Sequence, residues 1–152
     1  MKTLSILGWA LAAATSASSP QWAMIGISES EAPTVHFVDR SSIKATPDGA
    51  SAWTYAVSNA VSVKLHFEYD CSHGRYRFLE VSLPEGATPN PGVPSASAWA
   101  TIKPGSPIHL GMRYACSGGK IAGLPEVIVP FASPEAFARE FLARRAQRKS
   151  GN

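Results

Sequence analysis

The chain has 152 residues, enough for one domain with short appendages. Hydrophobic residues make up 45%, which supports a packed core, while twelve Gly, twelve Pro and only 16% charged residues favour strands joined by turns over a mostly helical protein. A formal net charge of +3 excludes a strongly cationic nucleic-acid binder and a disordered polyelectrolyte.

The first segment reads as a secretory signal. Lys2 precedes an apolar run from Leu4 to Ala14, and small residues continue to Ser19, before Pro20. The run is too short to span a bilayer as a stable helix. A signal peptide over 1–17 is expected, with cleavage after Ala17, Ser18 or Ser19. No cysteine precedes Cys71, so no lipid attachment is expected at the cleavage site, and the mature chain should carry neither a transmembrane nor a lipid anchor. Periplasmic or secreted localisation follows. Cys71 and Cys116 are the two cysteines. An even pair in an exported chain reads as one disulfide; their wide spacing suits neither a zinc site nor a Cys-x-x-Cys redox motif.

After a short apolar opening at Trp22–Gly26, the β-branched and aromatic stretch Thr34–Val38 reads as a strand, closed by the turn Asp39-Arg40-Ser41-Ser42. A second turn at Pro47-Asp48-Gly49 leads into Ser51–Val57, where Trp53, Tyr55 and Val57 share a face. The clearest strand is Val61–Cys71. Val61, Val63, Leu65, Phe67, Tyr69 and Cys71 form one row, expected to be buried; Ser62, Lys64, His66, Glu68 and Asp70 form the other, expected to be wet. The Ser72-His73-Gly74 turn and the return strand Arg75–Leu83 complete a hairpin.

Pro84–Pro94 is a loop, and Ser97–Ile102, with Trp99, is a further candidate strand. Ile108–Cys116 fits both periods. Alternation matches a strand; Ile108, Met112, Ala115 and Cys116 also share a helical face, and Ser106-Pro107 supplies an N-cap with Pro at the first helical position. Beyond Cys116, Ser117-Gly118-Gly119 breaks the chain and Gly123–Pro130 is a short apolar connector. Ser133-Pro134-Glu135 then opens a helix with an apolar stripe of Phe137, Ala138, Phe141 and Leu142 and a basic end of Arg144, Arg145, Arg148 and Lys149. The chain after about Ser117 is expected to be partly dispensable for folding, with Phe137 and Phe141 able to dock on the sheet.

No catalytic pattern stands out. There is no Gly-x-Ser-x-Gly, Ser-x-x-Lys, phosphate loop or His-Glu-x-x-His, and no enzyme activity, metal or cofactor is expected. His36, His66, His73 and His109 read as surface or turn residues. Asp70 is expected to make an exposed ion pair with Arg75 or Arg77. The aromatics Trp22, Trp53, Tyr55, Phe67, Tyr69 and Trp99 are expected in the core.

Read in order, a set of short elements resembles the surface-adhesin protein E family. It runs from Trp22 and Gly26 through Val38-Asp39-Arg40-Ser41-Ser42-Ile43 and Trp53 to Glu68-Tyr69-Asp70-Cys71 and Arg75-Tyr76-Arg77. It closes with Trp99, Pro104-Gly105-Ser106 and Cys116. The resemblance implies an α+β fold: an antiparallel sheet of about six strands, with a helix carrying Cys116 tied to one face through the disulfide. Cys71 ends the apolar strand row and Cys116 the apolar helical face, so both sulfurs are expected in the layer between sheet and helix. The sheet domain is then expected at 20–116; beyond the resemblance, the residue pattern gives a connector at 117–133, a basic amphipathic helix at 134–149 and a disordered end at 150–152. The family's known member is a lipid-anchored outer-membrane protein that binds host matrix and plasma proteins and dimerises; this chain lacks the lipidation cysteine and adds the segment after Cys116.

Two functions are therefore in view. The first is an exported binding module recognising a protein or cell-envelope component, with a homodimer possible and nucleic acid excluded. The second is a small-ligand binder or hydrolase using the polar sheet face around His66, Glu68, Asp70, Arg75 and Arg77. A pocket lined by these groups favours the second, and an open face the first.

Overall fold

A computed structural model describes residues 19–82, 96–122, 127–129 and 133–150. The expected signal segment, the expected loop at Pro84–Pro94, part of the expected connector and residues 151–152 lie outside them. Among the described residues, eight strands form one antiparallel sheet: β1 (Trp22–Ser28), β2 (Thr34–Asp39), β3 (Lys44–Thr46), β4 (Gly49–Val57), β5 (Ser62–Asp70), β6 (Arg75–Ser82), β7 (Ala100–Thr101) and β8 (Val127–Ile128). The order across the sheet is β7-β6-β5-β4-β2-β1-β8, with β3 paired to the start of β4. Two helices, α1 (Pro107–Cys116) and α2 (Pro134–Ser150), complete the fold.

The helices cover opposite faces, and strand alternation supplies a core to each. On one face Val38, Ala52, Phe67 and Tyr69 pack against Tyr114 and Ala115 of α1. On the other, Val35, Phe37 and Val57 pack against Ala138 and Leu142 of α2. Neighbouring residues of β2 thus serve different cores. Docking of α2 makes the segment after Cys116 part of the packed structure, which bears directly on its expected dispensability.

The two-way pattern at Ile108–Cys116 resolves to helix. Ser106 Oγ accepts a hydrogen bond from the His109 amide at 3.2 Å, and Pro107 occupies the first helical position. The stretch around Trp99 forms only the two-residue β7. At the Asp39 turn, Asp39 Oδ1 accepts from the Gln21 and Ser41 amides and the Ser41 hydroxyl, at 2.8, 3.0 and 2.6 Å. Ser42 Oγ accepts from the Trp53 amide at 2.9 Å, joining the turn to β4.

Cys71, just past β5, is bonded to Cys116 at the end of α1, with Cα atoms 6.0 Å apart. The bridge lies at the rim of the sheet–helix layer rather than within it: Cys71 is half-buried against the first core, but Cys116 is exposed. Gly49 makes this corner possible. Its φ is +157°, and a Cβ there would come within 2.5 Å of both Cys71 Sγ and the Tyr69 carbonyl oxygen.

Three expectations change on the far side of β5. Val61 precedes the strand and is 64% exposed. The row expected to be wet is not uniformly so: Ser62, Glu68 (6% exposed) and Asp70 (2%) are buried. The Asp70 ion pair is accordingly with a buried carboxylate, not an exposed one. Ser62 is covered by α2, and the two carboxylates by the side chains of β6.

Candidate functional site

The β5–β6 register sets the site. Asp70 stands opposite Arg75, Glu68 opposite Arg77 and His66 opposite Glu80, while β4 places Trp53 beside His66. The five sequence-predicted residues His66, Glu68, Asp70, Arg75 and Arg77 are therefore brought onto one face, opposite α1.

Both carboxylates are committed. Asp70 Oδ2 accepts from Arg75 Nη2 at 2.5 Å and Nε at 3.1 Å; Oδ1 accepts from the His73 amide at 3.0 Å and the Ser72 hydroxyl at 3.2 Å. The Arg75 guanidinium, with help from His73, holds the Asp70 carboxyl far below the usual carboxylate range despite its burial. Glu68 Oε2 accepts from Arg77 Nε at 2.7 Å and lies 2.5 Å from Nη2. In each pair two guanidinium nitrogens converge on one carboxylate oxygen, charge-assisted contacts that hold the two arginines in place.

Above the pairs lies a layer of rings and cations. Arg77 and Arg75 sit over the Trp99 ring, 4.7 and 5.6 Å from its centroid. Lys64 lies 4.7 Å over Trp53 and 5.6 Å over Trp22. His66 stacks on Trp53 with centroids 4.8 Å apart, and partial burial lowers its pKa. Of the aromatics assigned to the core, Trp22, Phe67 and Tyr69 are buried, but Trp53, Tyr55 and Trp99 are half-buried on or beside this face. Toward α2, Glu135 accepts hydrogen bonds from Tyr55 Oη and from Ser62 Oγ, the latter at 2.6 Å; the two hydroxyls lower its pKa.

Chemically, the arrangement leaves neither Glu68 nor Asp70 free as a nucleophile or general base. Among the described residues no group of three His, Cys, Asp or Glu is placed to hold a metal ion. A cavity of about 180 Å³ between α1 and the sheet, and a hollow of about 200 Å³ beside Phe137 and Phe141, are lined by none of the five.

Sequence reasoning missed two features. One is the role of Trp99, which lies 24 and 22 residues from the cations it carries, Arg75 and Arg77 in β6, and is visible only once β7 pairs with β6. The other is His36, read as a surface residue. It faces the α1 cavity, with Nε2 3.3 Å from Ser28 Oγ, and burial lowers its pKa to about 4. A signal for that cavity existed: Gly111 lies inside α1, where Gly disfavours helix by about 0.5–1 kcal/mol relative to Ala and so marks a close approach.

Comparison with known proteins finds no matching family profile, no matching curated protein and no matching solved structure.

Proposed function

We propose that this chain is an exported, disulfide-stabilised binding module of the surface-adhesin protein E type, recognising a protein or cell-envelope component through the sheet face that carries Trp53, Lys64, His66, Arg77 and Trp99. One observation carries the reading: the half-buried Trp99 ring is stacked with Arg77 and Arg75, which the buried carboxylates of Glu68 and Asp70 hold in place, and the half-buried Trp53 lies under Lys64. Trp and Arg are the side chains that dominate binding energy at interfaces, and holding them in place beforehand reduces the entropy lost on association. On the same face the Glu68 and Asp70 carboxylates are in ion pairs, so neither is free to serve as the base of a hydrolytic reaction.

Support for the family type comes from where the ordered residues lie. Glu68-Tyr69-Asp70-Cys71 and Arg75-Tyr76-Arg77 form the hairpin of the site, and the disulfide ties a helix to the sheet. The disulfide also suits an oxidising compartment, periplasmic or extracellular. Among the described residues no helix is long and apolar enough to cross a membrane.

The test immobilises the exported chain, whose intact mass should lack the first 17 to 19 residues, and exposes it to a solubilised envelope extract. A specific partner should be retained by the wild type and by Arg148→Ala, on exposed α2 surface, and lost at least tenfold in Trp53→Ala and Trp99→Ala chains that still melt cooperatively. Capture indifferent to both tryptophans, or no specific partner, would refute the proposal.

A further inference from the structure

The face opposite the proposed recognition surface carries an independent feature. Between α1 and the sheet lies the cavity of about 180 Å³, walled chiefly by Ile25, Leu65, Phe67, Phe78, Ile108 and Gly111. Native interiors hold few voids larger than a water molecule. A dry, apolar cavity of about 150 Å³ is large enough to take benzene. We infer that this cavity is a binding site for a small, neutral, largely apolar molecule carrying one hydrogen-bond acceptor, which the Tyr69 hydroxyl engages.

The acceptor requirement comes from Tyr69. Its ring lines the cavity, the residue is fully buried, and its hydroxyl has no hydrogen-bond partner among the described residues. A buried donor left without an acceptor is destabilising, so a carbonyl or ether oxygen brought to it gains a hydrogen bond that the surrounding side chains do not supply. The other polar groups of the wall are differently placed. Thr54 Oγ1 already donates to the Leu65 carbonyl at 3.2 Å. His36 lies beside Ser28 and stays uncharged at neutral pH.

Neutrality of the ligand follows from the same wall. With no charged side chain among the described residues that line the cavity, an ion entering would lose its hydration uncompensated. Gly111 is the enabling residue: a Cβ there would sit 2.9 Å from Tyr69 Oη. The hydroxyl is fully buried, so engaging it requires a side chain of the cavity wall to move aside. Ile25 lines the same wall, its Cδ1 3.6 Å from that Cβ position.

The test uses two fluorinated probes in ligand-observed ¹⁹F NMR titrations of the exported chain. 4-Fluoroacetophenone carries the acceptor; 1-ethyl-4-fluorobenzene has the same shape without it. Both should bind saturably, the ketone more tightly. Tyr69→Phe removes an unpartnered hydroxyl and should not lower the melting temperature. It should weaken the ketone by about three- to tenfold, the worth of one hydrogen bond, and leave the hydrocarbon within about twofold. Ala56→Leu, which fills the cavity from the sheet, should abolish both, and Ile108→Phe does the same from the helix side should Ala56→Leu not fold. Absence of saturable binding would overturn the inference. So would binding that survives a folded cavity-filling variant, or a Tyr69→Phe effect equal on the two probes.

Discussion

The disulfide offers the most direct test of how this fold is held. Cys71 and Cys116 are 45 residues apart in sequence, and among the described residues no free cysteine remains. In the chain-entropy description, closing a loop of that length removes about 4 kcal/mol of freedom from the unfolded chain. That is a large part of the ~5–15 kcal/mol that separates native from unfolded domains. Cys71→Ser, Cys116→Ser and the double substitution all open the same loop. They should therefore lose similar stability, the double variant being little worse than either single one. For a domain of this size the loss corresponds to a fall in melting temperature of roughly 12–20 °C. Urea unfolding adds a second readout. The mechanism acts on the unfolded ensemble, which expands when the loop opens, so the denaturant slope m should rise as the midpoint falls. Losses below about 1 kcal/mol, or an unchanged m with a double variant much worse than the singles, would refute loop closure as the source of stability. Alkylation of both cysteines in non-reduced exported protein would refute the bridge itself.

Two further outcomes follow from burial. Leu142 is 5% exposed in the core that α2 shares with the sheet, so Leu142→Ala should cost about 2–4 kcal/mol in urea unfolding; a change under 0.5 kcal/mol would mean that α2 contributes no core. His36 has a folded pKa of about 4 against an ordinary 6.5, so the unfolded chain binds its proton first as pH falls. Its contribution is complete above pH 6.5 and is lost as pH drops toward 4, by about 2 kcal/mol at pH 5. Partial burial lowers His66 in the same direction, so the His36 share is read as the difference between wild type and His36→Leu across that range; identical pH profiles would show that His36 does not titrate as its burial implies.

Much of the sheet was legible because alternation is a local property. Thr34–Val38, Ser51–Val57, the β5–β6 hairpin and the turns between them follow from period and turn chemistry, and the even cysteine pair, behind a segment that reads as an export signal, already pointed to a bridge. α1 was legible only through its cap, since apolar spacing at Ile108–Cys116 fits strand and helix alike. The five polar residues of β5 and β6 could be placed on one face for the same reason that the strands could be drawn.

Tertiary structure decided the rest. A strand's period says which residues share a face, not what covers that face. α2 settles on the side of β5 that looked solvent-facing, and the β6 arginines fold over Glu68 and Asp70, so that a row of polar residues is half buried. Tyr69 sits in the apolar row as the pattern requires, but only packing against Gly111 leaves its hydroxyl without a partner. Trp99 meets Arg75 and Arg77 only because β7 returns to the edge of β6. Each of these depends on contacts between residues far apart in the chain, and no local pattern carries that information.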